Sequence, residues 1–258
     1  MNERGALAAV TIEWTEMSNS RGVSRREFVL PGDAAEATGR QVPGVLWLPA
    51  EAPTPGMPLI AFGHGASGDR HQAPIPYLAK RLAREHGAVS VAIDGPVHGQ
   101  RAKGDGARGA FWPEWNRPGT VDDMCDDWRR VLDAVGDLPE VGSGPVGYWG
   151  LSMGTIYGVP LVAAEARIEA AVLGLMGNAG PNEGYRSRLA EDAARIAVPV
   201  LDLLQLEDEL FTRAQCLELF DALGTADKRI HAHPGAHAAV PEEDIDASLD
   251  FLVARLQS

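Results

Sequence analysis

Pro145-Val146-Gly147-Tyr148-Trp149-Gly150-Leu151-Ser152-Met153-Gly154 reads as a buried strand that runs into a sharp turn, with Ser152 at the apex and a helix starting at Met153. The pattern inside it is G-x-S-x-G. Small residues two positions before and two after the serine let a strained strand-to-helix turn pass close to its neighbours. A serine held on such a turn has its hydroxyl clear of the sheet, where a histidine on one side and a carbonyl on the other can both reach it. The Met153 amide, at the positive start of the helix, points at the oxygen of an attacked carbonyl. In a chain with 29 glycines the pattern alone is weak evidence, so its surroundings decide what it means.

Upstream, Leu59-Ile60-Ala61-Phe62 reads as a strand ending at Gly63-His64-Gly65-Ala66-Ser67-Gly68. A helix over 76–86 leads to a second strand over 89–93, which enters Asp94-Gly95-Pro96-Val97-His98-Gly99. A glycine-rich loop of roughly twenty residues follows, carrying Phe111, Trp112 and Trp115, and its length marks residues 95–119 as a candidate lid. Val121, Met124, Cys125, Trp128, Val131, Leu132 and Val135 then recur at helical spacing and bring the chain to the strand before Ser152. Downstream come a strand over 170–175, a short insertion at 176–190, a strand over 199–204, a helix over 213–223 and a last strand over 229–232. Ile245, Leu249, Leu252, Val253 and Leu256 make a closing amphipathic helix, with Glu242, Glu243 and Asp244 at its positive end. Repeated strand, loop and helix is the signature of a parallel sheet with crossover helices. Before it, 10–15, 26–30 and 44–49 read as antiparallel strands, with a loop over 32–39. The expected fold is a doubly wound, mainly parallel α/β sheet with antiparallel N-terminal strands, forming one domain over 1–258.

Composition narrows the function. A hydrophobic share of 45% and a charged share of 23% are globular values. The net charge of −13 repels nucleic acid and anionic membranes, which leaves small molecules as the expected partners. Cys125 and Cys216 are too few and too far apart for a disulfide framework, and both read as core thiols in a reducing, cytoplasmic setting. Residues 1–16 lack an apolar core with a small-residue cleavage site, and no stretch is long enough to cross a bilayer. No feature indicates an oligomeric state.

A nucleophilic serine needs a base, and the base needs a group that holds its tautomer. In the chain order serine, acid, histidine, each partner follows a later strand. Asp208 lies just past the strand over 199–204, with Glu207 and Glu209 as alternative acids. His237 lies past the last strand, where Pro234-Gly235 can swing an imidazole over the carboxyl edge of the sheet, with His233 as the alternative base. His231 and His233 alternate along a strand and share a face, and no carboxylate or cysteine stands at a ligand spacing nearby, so no metal is expected. His64 and His98 follow adjacent strands at the edge where α/β folds bind ligands, and read as loop braces or pocket walls. Phe111, Trp112 and Trp115 read either as the lining of an apolar pocket or as packing anchors of their loop.

With these residues in view, the chain resembles the α/β-hydrolase family, and within it small serine esterases of the dienelactone-hydrolase type. The resemblance spans nearly all of the chain. It rests on Gly150-Leu151-Ser152-Met153-Gly154, Gly63-His64-Gly65, Pro199-Val200-Leu201 with Asp208, and Pro234-Gly235-Ala236-His237. It implies Ser152 as nucleophile, His237 as base and then acid, Asp208 as its orienting carboxylate, and the amides of Met153 and Ala66 as the oxyanion hole. It also implies ester hydrolysis without a cofactor, and the short insertion after Leu175, which leaves little room for a cap domain, points to small or medium acyl substrates. Thioesters, lactones and peptides share the same machinery, and a hydrolase fold can also serve as a ligand receptor without turnover. Two departures stand out. Gln205 replaces the family's usual glycine three residues before the acid, and a serine stands where dienelactone hydrolases carry cysteine.

Overall fold

The structure, a computed structural model, describes residues 11–32, 39–51, 54–103, 107–179 and 184–257. Within them the strands are β1 (Glu13–Ser20), β2 (Val23–Leu30), β3 (Val42–Pro49), β4 (Leu59–Gly63), β5 (Val89–Ile93), β6 (Val146–Gly150), β7 (Ile168–Gly174), β8 (Val200–Gln205) and β9 (Lys228–His233). They join in one sheet of order β1-β2-β3-β5-β4-β6-β7-β8-β9. β1, β2 and β3 pair antiparallel, β3 meets β5 antiparallel, and every pair from β5 to β9 is parallel. The apolar strands β4 and β6, buried along their whole length, lie in the middle of the sheet, as parallel strands covered on both faces must.

Seven α-helices cover the sheet among the described residues: α1 (Ile75–Arg81), α2 (Ala107–Trp115), α3 (Thr120–Gly136), α4 (Met153–Ala164), α5 (Arg186–Arg195), α6 (Arg213–Ala222) and α7 (Glu242–Leu256). Alternation along each strand sorts the core into two layers. Phe62, Trp149, Leu151, Leu201 and Leu203 face one side, with Ile75 and Leu78 of α1 and Ile245, Leu249 and Leu252 of α7. Ala61, Tyr148, Val200 and Leu204 face the other, with Trp115 of α2, Trp128 of α3, Ile156 of α4, Leu189 of α5 and Cys216 of α6. Among the described residues no helix is long and apolar enough to cross a membrane.

Three expectations need correction. The first strand runs over Glu13–Ser20 instead of 10–15, and Val10 lies outside the described residues. β1 is exposed along most of its length, so pairing with β2, not burial of alternate residues, sets its extent. The segment 95–119 is not one long loop: a 3-10 turn over Gly99–Arg101 and helix α2 occupy much of it. The i, i+4 rings of Phe111 and Trp115 stack at 6.5 Å and 10°, a helical pairing hidden by the surrounding glycines. The insertion at 176–190 runs into helix α5, which buries Leu189, Asp192 and Ala193, too sparse an apolar stripe to read as periodic. Residues 1–10, 33–38, 104–106 and 180–183, within the segments read as N-terminal stretch, loop, lid and insertion, lie outside the described residues.

Candidate active site

The turn between β6 and α4 places Ser152 at φ 57° and ψ −118°, a backbone conformation that L-residues rarely adopt. Its surroundings impose that conformation. Ser152 N–H donates to Gly174 O at 3.0 Å, which ties the turn to the end of β7. Thr155 Oγ1 lies 2.8 Å from Gly150 O and 2.7 Å from Gly174 O, and accepts from Gly174 N–H at 2.9 Å. A Cβ on Gly154 would stand 2.5 Å from Gly63 O, and one on Gly150 would stand 2.9 Å from Gly154 O. The two glycines of G-x-S-x-G are therefore required by close backbone approach.

Three side chains meet at this turn. His237 Nε2 is 2.9 Å from Ser152 Oγ, and its Nδ1 is 2.7 Å from Asp208 Oδ2. The other carboxylate oxygen of Asp208 accepts from the amides of Leu210 at 2.7 Å and Phe211 at 3.0 Å, so both oxygens are used and the carboxylate cannot rotate freely. The alternatives lie elsewhere. Glu209 accepts from the backbone N–H of His237 at 2.8 Å, while His233 and His231 each stand 3.1 Å from Asp244 at the start of α7. Gln205, the residue in place of glycine, donates from Nε2 to Ala239 O at 2.7 Å and to Ala236 O at 3.4 Å. It ties the end of β8 to both sides of His237.

Among solved structures, one similar to this chain is the polyethylene-glycol-bound complex of a novel cold-adapted esterase from an Arctic intertidal metagenomic library, 38% identical over 95% of this chain and 99% of that one, with a TM-score of 0.82. The chain belongs to the α/β-hydrolase esterases. An acetyl xylan esterase from Paenibacillus sp. R4, at 20% identity over 95% of this chain and 88% of that chain (TM-score 0.68), shares the fold. So does a dienelactone hydrolase from Anabaena variabilis, at 16% identity over 90% of this chain and 97% of that chain (TM-score 0.63). No protein-family model matches the chain, and no curated protein matches it.

In this esterase a cavity of about 410 Å³ opens beside Ser152 and His237. His64 and Ala66 line it, and Met153 heads α4 with its amide at the helix's positive end. His64 is held as a neutral brace: Gly95 N–H donates to Nε2 at 2.8 Å, Nδ1 donates to Gly65 O at 2.8 Å, and burial pushes its pKa down to about 4. Behind this loop, Arg70 N–H donates to Asp94 Oδ1 at 3.1 Å while its guanidinium bonds Asp94 Oδ2 and Glu27 Oε2, all three residues being buried.

The other residues read as pocket lining are placed elsewhere. His98 bridges two loops, with Nδ1 2.7 Å from Pro96 O and Nε2 3.0 Å from Ala66 O. Phe111 packs edge-on to His98 at 5.9 Å, Trp115 is buried against Tyr157 of α4 and Tyr185, and Trp112 is 49% exposed. The described lining of the cavity includes none of these four. Helix α2 carries the aromatic residues onto α4, on the opposite side of the sheet from α1 and α7. The cavity is framed instead by residues 64–75 and 237–245, together with Trp149, Leu151, Leu175 and Leu210. Sequence reasoning missed these last four, although Trp149 and Leu151 flank Gly150 at the i, i+2 spacing that puts both on one strand face. Outside the cavity lining, α1 and α7 are joined by Tyr77 Oη to Asp246 Oδ1 at 2.8 Å and by Arg81 to Asp246 at 3.0 Å and Asp250 at 2.9 Å.

Proposed function

We propose that this chain hydrolyses small or medium carboxylic esters through an acyl-enzyme on Ser152. The observation that carries the reading is the unbroken hydrogen-bonded line from Asp208 through His237 to Ser152. Ser152 Oγ attacks the ester carbonyl while His237 Nε2 takes its proton, and Asp208 holds Nδ1–H so that Nε2 is the free acceptor. The negative charge on the carbonyl oxygen is received by the amides of Met153 and Ala66. The tetrahedral adduct then collapses, the bond to the alcohol oxygen breaks, and His237 returns its proton to that leaving oxygen. Water attacks the acyl group by the same route, freeing the acid and restoring the Ser152 hydroxyl. Every proton moved passes through His237, and water is the second reagent beside the ester.

The net charge of −13 supports a neutral small-molecule substrate over nucleic acid or an anionic membrane. Cys125 and Cys216 support a reducing, cytoplasmic setting: both are free, buried thiols with pKa values pushed up to about 12 by burial. The test is burst kinetics with p-nitrophenyl esters on the wild type and on Ser152→Ala. The variant is expected to lose activity by a factor on the order of 10⁴–10⁶ in kcat, with no burst. A wild type as inert as the variant, with ligand still bound, would replace hydrolysis by the receptor reading.

A further inference from the structure

The cavity beside Ser152 is lined by both polar and apolar side chains. His64, Ser67 and Gln72 join the serine and His237 in its lining, and Ile75, Trp149, Leu151, Leu175, Val240 and Ile245 supply apolar wall. We propose that Trp149 is the specificity-determining floor of this cavity and limits the length of a single apolar chain carried by the ester. The proposal rests on Ser152 being the nucleophile, because only then does the cavity receive the chain attached to the reacting carbonyl.

Three observations support Trp149 as a fixed floor. Trp149 is 2% exposed and lies on β6 three positions before Ser152, whereas Leu210 at the same cavity is 49% exposed and marks the mouth. The indole cannot swing aside. Its Nε1–H donates to Ser248 Oγ at 2.9 Å, and the Ser248 hydroxyl donates in turn to Ile245 O at 2.7 Å, so floor and side wall form one bonded unit. Phe62 closes it from behind, with ring centroids 5.9 Å apart and planes tilted by 60°. The adjoining wall is also rigid: Leu175 is held at φ 52°, with its N–H on Leu203 O at 2.9 Å. A bulky residue kept in the left-handed region beside a cavity is a position over-determined by its surroundings. A rigid apolar wall ranks substrates by the methylene groups it admits, each worth a factor of about 10 or more at a well-fitted position.

Either side of the ester could supply that chain, and two substrate series separate them. One is p-nitrophenyl esters from acetyl to octanoyl. The other is acetate esters of alcohols from methanol to octanol, followed by acid release. Both are run on the full chain as wild type, Trp149→Leu and Trp149→Phe. In the series whose chain enters the cavity, the ratio of kcat/KM for the longest to the shortest member is expected to rise about tenfold or more in Trp149→Leu and by less in Trp149→Phe. A mere loss of structure would lower all members alike and leave the ratio flat. Should Trp149→Leu fail to fold, Trp149→Phe retains a ring against Phe62 and still reads the ratio. A ratio unchanged in both series, in an enzyme that Ser152→Ala silences, overturns the role of Trp149 alone. Turnover surviving in Ser152→Ala overturns the nucleophile reading whatever the ratio does.

Discussion

On the side of the sheet covered by α1 and α7, the residues next to Ser152 line an open cavity of about 410 Å³, while on the side covered by α2 and α4 the rings of Phe111, Trp115, Tyr157 and Tyr185 are packed on one another. Both sides carry large aromatic residues within reach of the same turn. What separates a pocket wall from a packing anchor is therefore not residue type but whether a helix comes close enough to fill the space. α2 brings Trp115 to 4.3 Å from Tyr185, centroid to centroid, whereas α1 and α7 are joined by polar side chains and their Ile75 and Ile245 line open space. The filled half should respond to mutation in stability, and the open half in selectivity.

The comparison breaks first at Trp115. Trp115→Ala is expected to cost about 3–5 kcal/mol of stability, measured by urea unfolding, with the ratio of long-chain to short-chain ester turnover unchanged in the folded protein. A shifted ratio would make the filled half a second pocket. A smaller effect is expected at Asp202, which points from β8 into the filled half beside Cys216, and whose pKa burial raises from 3.8 to about 7. The folded state thus holds this proton more tightly than the unfolded chain does. The resulting stabilisation is fully present below about pH 3.8 and is lost progressively as pH rises from there to about 7. Wild-type stability should fall by about 2–4 kcal/mol across that window through this group, a fall absent from Asp202→Asn. Parallel pH–stability curves for the two proteins would show that Asp202 does not titrate there. The smallest effect is expected at Trp112, half exposed on the outer face of α2. Trp112→Ser should change stability by no more than about 0.5 kcal/mol and leave ester selectivity alone. A large loss of activity would restore it to the substrate path.

The sheet was legible in the sequence because its determinants are local: apolar runs, the glycines of the turn, and proline or glycine at strand ends. The meeting of Ser152, Asp208 and His237 was legible for a related reason, since each stands just past a parallel strand and all such positions share one edge. The cavity was not. That Trp149 faces α7 and Trp115 faces α4 depends on contacts between residues far apart in sequence, Trp149 with Ser248 and Trp115 with Tyr185. Helix α5 escaped notice because Asp192, paired with Arg188 at 2.7 Å, is buried where an apolar residue would have marked the face. Gln205 stands out in the sequence as a departure from the family pattern, but its effect, bracing the loop that carries His237, depends on the distant carbonyls of Ala236 and Ala239.

The strained turn at Ser152 has one more consequence. The bonds and close approaches that force φ to 57° are made by its own N–H, by Thr155, and by Gly150 and Gly154, and none involves the hydroxyl itself. The frame and the reagent are therefore separate parts. A thiol or a carboxylate carried on the same Cβ would inherit the same exposed position without any change in the scaffold, so the architecture of this edge is compatible with more than one nucleophile, and the atom at its apex decides which bonds the fold can break.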